Sequence, residues 1–322
     1  MRSARLAIAL TALAMAAAAQ AQDWPQRPIR IVVPFAAGAS PDILARIVND
    51  RLAARLGQPL IVDNRPGAGG NTGTDQAAKA PPDGYTFLLS VNAPLVYNTI
   101  LYRHLPYDPF KDLVPVSLAA TTPNVCAVSN AMNVDSVKGW LDAMRRSPGQ
   151  FNFASTGNGS ISHLGVELIK LRTNSFAVHI PYASSGQAVT AIIQGDVQFA
   201  CLPPVTLMPQ ARAGRLKALA VTSAERSALL PELPTLRESG LPDIQAEPWF
   251  AYMAPKGTPD EVVQRMSREI AAVLREPETQ KRLQTAFFDP VGSTPEALQK
   301  FMAEELRRWK PVIERAGLKP DN

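Results

Sequence analysis

An alternation of two hydrophobic periods from residue 29 onward constrains this chain more than any other feature. Ile29 to Phe35 (IRIVVPF), apolar but for Arg30, is a run of strand length, as expected for a strand buried on both faces. After Ala36-Ala37-Gly38-Ala39, the residues Ile43, Leu44, Ile47, Val48, Leu52 and Leu56 recur at helical spacing, and Gly57 supplies the stop. Ser40 followed by Pro41 reads as an N-cap and a first helical position. Leu60 to Asp63 is a second strand. The loop Asn64-Arg65-Pro66-Gly67-Ala68-Gly69-Gly70-Asn71 leads to a helix through Lys79, and Pro81-Pro82-Asp83-Gly84 turns into a strand from Tyr85 to Val91. Parallel neighbours need a crossover long enough to hold a helix, so this rhythm predicts an α/β class with a parallel sheet.

The rhythm continues. Strands are predicted at 114–119, 124–128, 151–154, 177–181, 197–202, 216–221 and 246–254, with helices at 136–146, 161–172, 186–194 and 205–213 between them. The last 60 or so residues are helical by pattern. Val262, Val263, Met266, Ile270, Val273 and Leu274 line one face, and Leu298, Phe301, Met302, Leu306, Trp309, Val312 and Ile313 another. Roughly 300 residues beyond the leader suffice for two domains, each with its own core. Two α/β units joined by crossing strands, near 116–125 and 216–224, imply two lobes with a cleft, and open α/β sheets take ligands at the carboxyl ends of their strands.

Residues 1–21 read as an export signal. Arg2 and Arg5 precede an apolar stretch from Leu6 to Ala19, and Ala19-Gln20-Ala21 offers small residues for cleavage after Ala21. A stretch of about 14 residues is short for a membrane span, which needs roughly 20. The expected location is the periplasm. The whole chain carries 33 basic and 28 acidic residues, too mild an excess to argue for nucleic acid. Cys126 and Cys201 both lie in apolar strand-like runs; an exported protein permits a disulfide, and buried free thiols are the favoured expectation. With three histidines and no Cys/His spacing of the zinc type, no metal or cofactor is expected.

Four loops rich in Gly, Ser, Thr and Asn run into predicted helices: Pro34–Ser40, Asn64–Gly73, Ser155–His163 (STGNGSISH) and Tyr182–Gly186 (YASSG). Free N–H groups at a helix start bind anions without a cationic side chain. One such loop is an ordinary capped turn; four in one exported chain favour a small anionic ligand. Enzyme signals are weaker. Gly67–Thr72 misses the dinucleotide fingerprint, and no Gly-Lys-Ser/Thr follows. Ser160 and His163 are three apart, but neither a nucleophile elbow nor an orienting acid accompanies them. Capping is the default role of Ser160.

In sum these loops resemble the Bug-type extracytoplasmic solute receptors of tripartite tricarboxylate transporters. The resemblance is carried by Trp24-Pro25-Gln26-Arg27-Pro28-Ile29, Asp63-Asn64-Arg65-Pro66-Gly67-Ala68-Gly69-Gly70-Asn71, Pro82-Asp83-Gly84-Tyr85-Thr86, Leu105-Pro106-Tyr107-Asp108-Pro109, Ser155-Thr156-Gly157-Asn158-Gly159-Ser160 and Leu216-Lys217-Ala218-Leu219-Ala220-Val221-Thr222. It implies a type II-like periplasmic-binding-protein fold with lobe 1 over 22–118 plus 223–322 and lobe 2 over 119–222. It also implies a receptor, not an enzyme, that closes on a small carboxylate and is read as a monomer by a membrane permease; signalling to a sensor kinase is the alternative, and an exported hydrolase using Ser160 and His163 a remote one. Carried over by position, the ligand-binding residues are Phe35, Ala36, Gly38, Ala39, Ser40, Asp42, Gly69 and Asn92 in the first lobe and Ser155, Thr156, Gly157, Ser160, His163, Tyr182, Ser184 and Pro204 in the second. The chain departs from the family where Pro41 precedes Asp42, where Ala183-Ser184 replaces Lys-Gly, at Ala191, and in Cys201-Leu202-Pro203-Pro204. A less charged second-lobe wall points to a monocarboxylate with an apolar or aromatic body.

Overall fold

The computed structural model describes residues 24–318, so the expected leader lies outside the described residues. A six-stranded sheet holds β1 (Ile29–Val33), β2 (Leu60–Asn64), β3 (Thr86–Val91), β4 (Leu113–Thr121), β10 (Trp249–Pro255) and β11 (Asp289–Pro290), in the order β11-β4-β10-β3-β1-β2. A five-stranded sheet holds β5 (Val125–Ser129), β6 (Asn152–Ser155), β7 (Val178–Pro181), β8 (Phe199–Leu202) and β9 (Leu216–Val221), in the order β7-β6-β8-β5-β9. The two-lobed α/β expectation holds, and the strand runs named from sequence fall within a few residues of those observed.

Neither sheet is purely parallel, which corrects the sequence expectation. β1 pairs parallel with β2 and β3, and β6 with β7 and β8. β10 runs antiparallel to β3 and β4, while β5 runs antiparallel to β8 and β9. The cause is the path of the chain. It passes from the first sheet to the second between β4 and β5 and returns between β9 and β10, so the strands flanking each passage meet neighbours laid down in the other direction. β4 is wholly within the first sheet as far as Thr121, and Leu230 and Leu233 of the return segment pack in the cluster beside the second sheet.

Helices cover both sheets. The first lobe carries α1 (Ser40–Leu56), α2 (Asn71–Ala78) and the short α3 (Asn98–Leu101), with α8 (Asp260–Arg275), α9 (Pro277–Thr285) and α10 (Pro295–Arg315) added after the return passage. The second carries α4 (Val137–Arg146), α5 (Ile161–Thr173), α6 (Ser185–Gln194) and α7 (Pro204–Arg212). The apolar stripe of α8 is buried with that of α1 against Ile29, Ile31, Phe87 and Phe250, one face of the first sheet. A cluster containing Val125, Ala127, Ile192 and Leu207 lies against α6 and α7. A third runs between the lobes, from Leu88, Tyr97, Trp249 and Trp309 to Trp140, Phe153, Ile169 and Phe199. Among the described residues no helix is long and apolar enough to cross a membrane.

Cys126 and Cys201 form a disulfide, against the expectation of free thiols. β5 and β8 are antiparallel neighbours with Cys126 directly opposite Cys201. The sequence shows two apolar strands but not their register, and register is what brings the sulfurs together.

Candidate functional site

A cleft of about 370 Å³ lies where the carboxyl ends of the parallel strands of the two sheets meet. Its first-lobe wall begins where β1 ends. Ala39, not Ser40, is the N-cap of α1, and no side chain caps this helix. Pro41 tolerates the second helical position because its missing N–H is one the helix does not need. Ala36, Gly38, Ala39, Ser40 and Pro41 all line the cleft, so the positive end of α1 opens into it. Asp42 does not line it. The buried Asp42 carboxylate accepts hydrogen bonds from the Gly38 N–H (2.9 Å), Arg46 Nε (3.0 Å) and Asn64 Nδ2 (3.1 Å). Burial alone raises its carboxyl; the bonds from Arg46, Gly38 and Asn64 outweigh that and hold it below the usual carboxylate range. Asn64 Nδ2 also reaches the Phe35 carbonyl oxygen at 3.0 Å, so Asp42 and Asn64 hold the loop from behind.

Phe35, Gly69 and Asn92 also line the cleft. A Cβ at Gly70 would stand 2.6 Å from Pro94 Cγ and 3.0 Å from Phe35 Cζ, so this glycine (φ 96°) is what lets the Phe35 ring and Pro94 close over the Gly-rich loop. Asn92 is buried at the end of β3. Its Nδ2 donates to the Glu247 carbonyl oxygen (3.0 Å) and to Tyr97 Oη (3.3 Å), and Tyr97 Oη donates to Glu305 Oε2 (2.7 Å).

The second-lobe wall is the loop after β6. Ser160 caps α5, accepting the His163 N–H (3.3 Å) and donating to the Gly157 carbonyl oxygen (2.7 Å). Ser162 Oγ accepts the Thr156 N–H at 3.0 Å and lies within hydrogen-bond distance of Thr156 Oγ1 and Ser160 Oγ. Thr156, Ser160 and Ser162 face the cleft with Asn158 and Ile161. Ser155, Gly157 and His163 stand behind. Ser155 Oγ accepts the Gly157 N–H (3.0 Å) and lies 2.6 Å from His179 Nε2, while His163 Nδ1 accepts the Gly159 N–H (3.1 Å). The two imidazoles stack with ring centroids 3.7 Å apart. Burial and the neighbouring His163 push the His179 imidazole down to about 3. Below them Glu167 Oε1 lies 3.7 Å from His163 Nε2 and 2.7 Å from Lys170 Nζ. A Cβ on Gly159 (φ 72°) would run into the Leu101 side chain; glycine allows this loop to touch α3 of the other lobe.

Ser184 caps α6 through the Gln187 N–H (3.3 Å) and lines the cleft with Ala183, Ser185 and Gly186. Tyr182 instead packs beside the second-sheet cluster, and Pro204 starts α7, buried, leaving Pro203 and Thr206 on the cleft. No charged side chain is among the lining residues, and Phe35, Val91, Ile161 and Phe250 give it an apolar body. Sequence reasoning passed over Asn124 and Pro248, which belong to the two passages between sheets, and Phe250, which lies inside β10, rather than in strand-end loops. Asn158, Ser162, Ser185 and Gly186 lie inside the quoted loops but were not singled out, because spacing alone does not tell which hydroxyl faces outward. Among the described residues no cluster of metal-ligating side chains occurs.

Residues 44–318 match the model of the tripartite tricarboxylate transporter family receptor. The chain is 38% identical over 315 residues to protein BugT of Bordetella pertussis, covering 98% of this chain and 97% of BugT. The solved structure of Rhodopseudomonas palustris Rpa4515 with adipate is similar with a TM-score of 0.88 at 34% identity, covering 93% of this chain and all of that one. MatC from the same organism with bound malate follows at a TM-score of 0.82 and 29% identity, over 90% of this chain and all of that one. With a family match over most of its length and relatives aligned end to end, the chain belongs to the receptor family of the tripartite tricarboxylate transporters.

Proposed function

We propose that this protein is a periplasmic solute receptor that captures a small carboxylate between its lobes and presents it, as a monomer, to a membrane permease. The observation that carries the reading is a cleft without a charged side chain onto which an uncapped helix N-terminus opens. Such an end holds a carboxylate through backbone N–H groups and the helix dipole. The Ser160 and Ser184 caps, the Thr156 and Ser162 hydroxyls and the apolar lining then select the rest of the ligand. That relatives were solved with adipate and with malate supports the carboxylate class. The lining supports one carboxylate and an apolar or aromatic body. Phe35, Ala36, Gly38, Ala39, Ser40, Gly69, Asn92, Thr156, Ser160 and Ser184 are the proposed contacts. Asp42, Ser155, Gly157 and His163 position them, and Tyr182 and Pro204 support the second wall.

Export would follow cleavage after Ala21, and the moving units would be 22–118 with 223–322 and 119–222. Ligand shifts the hinge toward the closed form because only there do both walls touch it. Catalysis by Ser160 is not part of the reading, since its hydroxyl is committed to the cap.

Thermal unfolding of the ligand-stripped mature protein against mono- and dicarboxylates tests this. A ligand at about 1,000 times its Kd stabilises by roughly 4 kcal/mol, which raises Tm by several degrees. Monocarboxylates with apolar bodies are expected to give the largest shifts. Tight citrate binding without monocarboxylate affinity refutes the ligand class, and no shift with any acid refutes the carboxylate reading itself.

A further inference from the structure

Asn124 stands on the outward passage, between β4 and β5. Its backbone is fully occupied. The N–H donates to Thr222 Oγ1 (3.0 Å), and the carbonyl oxygen accepts the Thr222 N–H (2.9 Å). Thr222 Oγ1 in turn donates to the Ala246 carbonyl oxygen (2.8 Å). This clamp uses only the main chain of residue 124 and would form with almost any side chain there.

The side chain does something else. It lines the cleft, has no surface open to water in this conformation, and neither Oδ1 nor Nδ2 has a hydrogen-bond partner. A buried polar group left unpaired is destabilising, and a leucine of similar volume would remove the penalty. Among the described residues, the other side chains with unpaired buried atoms, including Asn49, Thr74, Ser90 and Trp140, leave one atom each and do not line the cleft. An amide with both ends unpaired, on a segment between the lobes and against the cleft, is placed for a group that the protein does not itself supply.

We infer that Asn124 is a specificity-determining residue that reads a neutral hydroxyl or carboxamide on the ligand, remote from its carboxylate. The inference rests on the cleft being the carboxylate site. The chemistry follows from the amide having one acceptor and one donor end. A methyl group satisfies neither. A second carboxylate, with acceptors only, satisfies Nδ2 and sets its own lone pairs against Oδ1. A hydroxyl or carboxamide satisfies both. Parting of the lobes admits the ligand to the amide, and closure buries the pair together.

The test uses matched acids differing only at the far end: hexanoate, 6-hydroxyhexanoate, 6-amino-6-oxohexanoate and adipate, and benzoate, 3- and 4-hydroxybenzoate, 4-carbamoylbenzoate and terephthalate. Calorimetric Kd values on the wild-type mature protein are expected to favour the hydroxyl or carboxamide member over both the methyl (or unsubstituted) and the dicarboxylate member by about 10- to 100-fold. Asn124→Leu is expected to abolish that preference while binding the unsubstituted acid at least as well, with Tm unchanged or raised. Wild type preferring the unsubstituted acid or the dicarboxylate overturns the inference without any variant. So does an Asn124→Leu protein that folds and keeps the wild-type ranking. If no acid binds wild type, the carboxylate reading falls and takes this inference with it; if acids bind but the ranking does not follow Asn124, only the inference falls.

Discussion

In the first-lobe wall α1 starts at Ala39 with nothing closing its first turn, whereas in the second-lobe wall α5 and α6 start at Ser160 and Ser184, whose hydroxyls already accept helix N–H groups. The supports differ as well. The open wall is held by a carboxylate and its donors, Asp42 with Arg46 and Asn64, and the capped wall by two stacked imidazoles, Ser155 on His179 and Gly159 on His163. An anion needs donors with no other partner, and the uncapped first turn of α1 keeps them on the first wall. Hydroxyls that already bond one another are better suited to judging shape than to holding charge. The carboxylate is thus expected on the first lobe and the discriminating end of the ligand toward the second lobe and the hinge.

The largest way to break this asymmetry acts on the second lobe alone. Replacing Cys126 and Cys201 by serine opens a loop of sequence separation 75, and a cross-link of that span contributes about 4 kcal/mol. Chemical denaturation should show that loss, with ligand affinity at low denaturant little changed; an unchanged midpoint would mean that the disulfide constrains nothing.

Asp42→Ala should come next, at about 2–3 kcal/mol, because it leaves the Gly38 N–H and Arg46 without their acceptor and Asn64 with only the Phe35 carbonyl. Carboxylate affinity should fall with it, since the loop is no longer held. Stability lost without any loss of affinity would detach the first wall from anion binding.

The His179 side of the capped wall's support predicts acid sensitivity. His179 has a folded value of about 3 against an unfolded value near 6.5. Between those values the unfolded chain binds the proton and the folded chain does not, so this group's contribution is complete above about pH 6.5 and declines as pH falls toward 3. The decline is about 1.4 kcal/mol per pH unit. His179→Gln should flatten the slope of stability against pH in that window, measured by denaturant titration at pH 7, 5.5 and 4. Parallel slopes would show that the ring is not kept neutral.

The smallest effect is the sharpest for the comparison. Ala39→Ser supplies the missing cap and should raise stability by about 1 kcal/mol. It should also weaken carboxylate binding, because the hydroxyl takes a donor that the ligand uses. Stability and affinity rising together would place the anion elsewhere.

Much of the fold was legible because burial writes periodicity into sequence. IRIVVPF became β1, Leu216–Val221 became β9 as bounded, and the apolar stripe from Val262 to Leu274 became the buried face of α8. What stayed hidden depends on partners far along the chain. The direction of β10 and the pairing of Cys126 with Cys201 are matters of register. The lining of the cleft was legible where loops follow parallel strands, as at Gly38–Ser40, Thr156 and Ser160. It was illegible at Asn124 and Phe250, where nothing in a short apolar segment tells that one side chain meets a cleft. Ser40 was misread as a cap because Ser before Pro is a good local signal, yet the chain entered the helix one residue earlier.

Thr222 has one hydroxyl that accepts from Asn124 on the outward passage and donates to Ala246 on the return. Two separate tethers would leave the lobes free to twist and slide as well as to bend. Joined through one hydroxyl, the outward and return passages cannot shift past each other without breaking its bonds, so they behave as one strap. A strap of two linked strands resists shear between the sheets in a way that either strand alone would not.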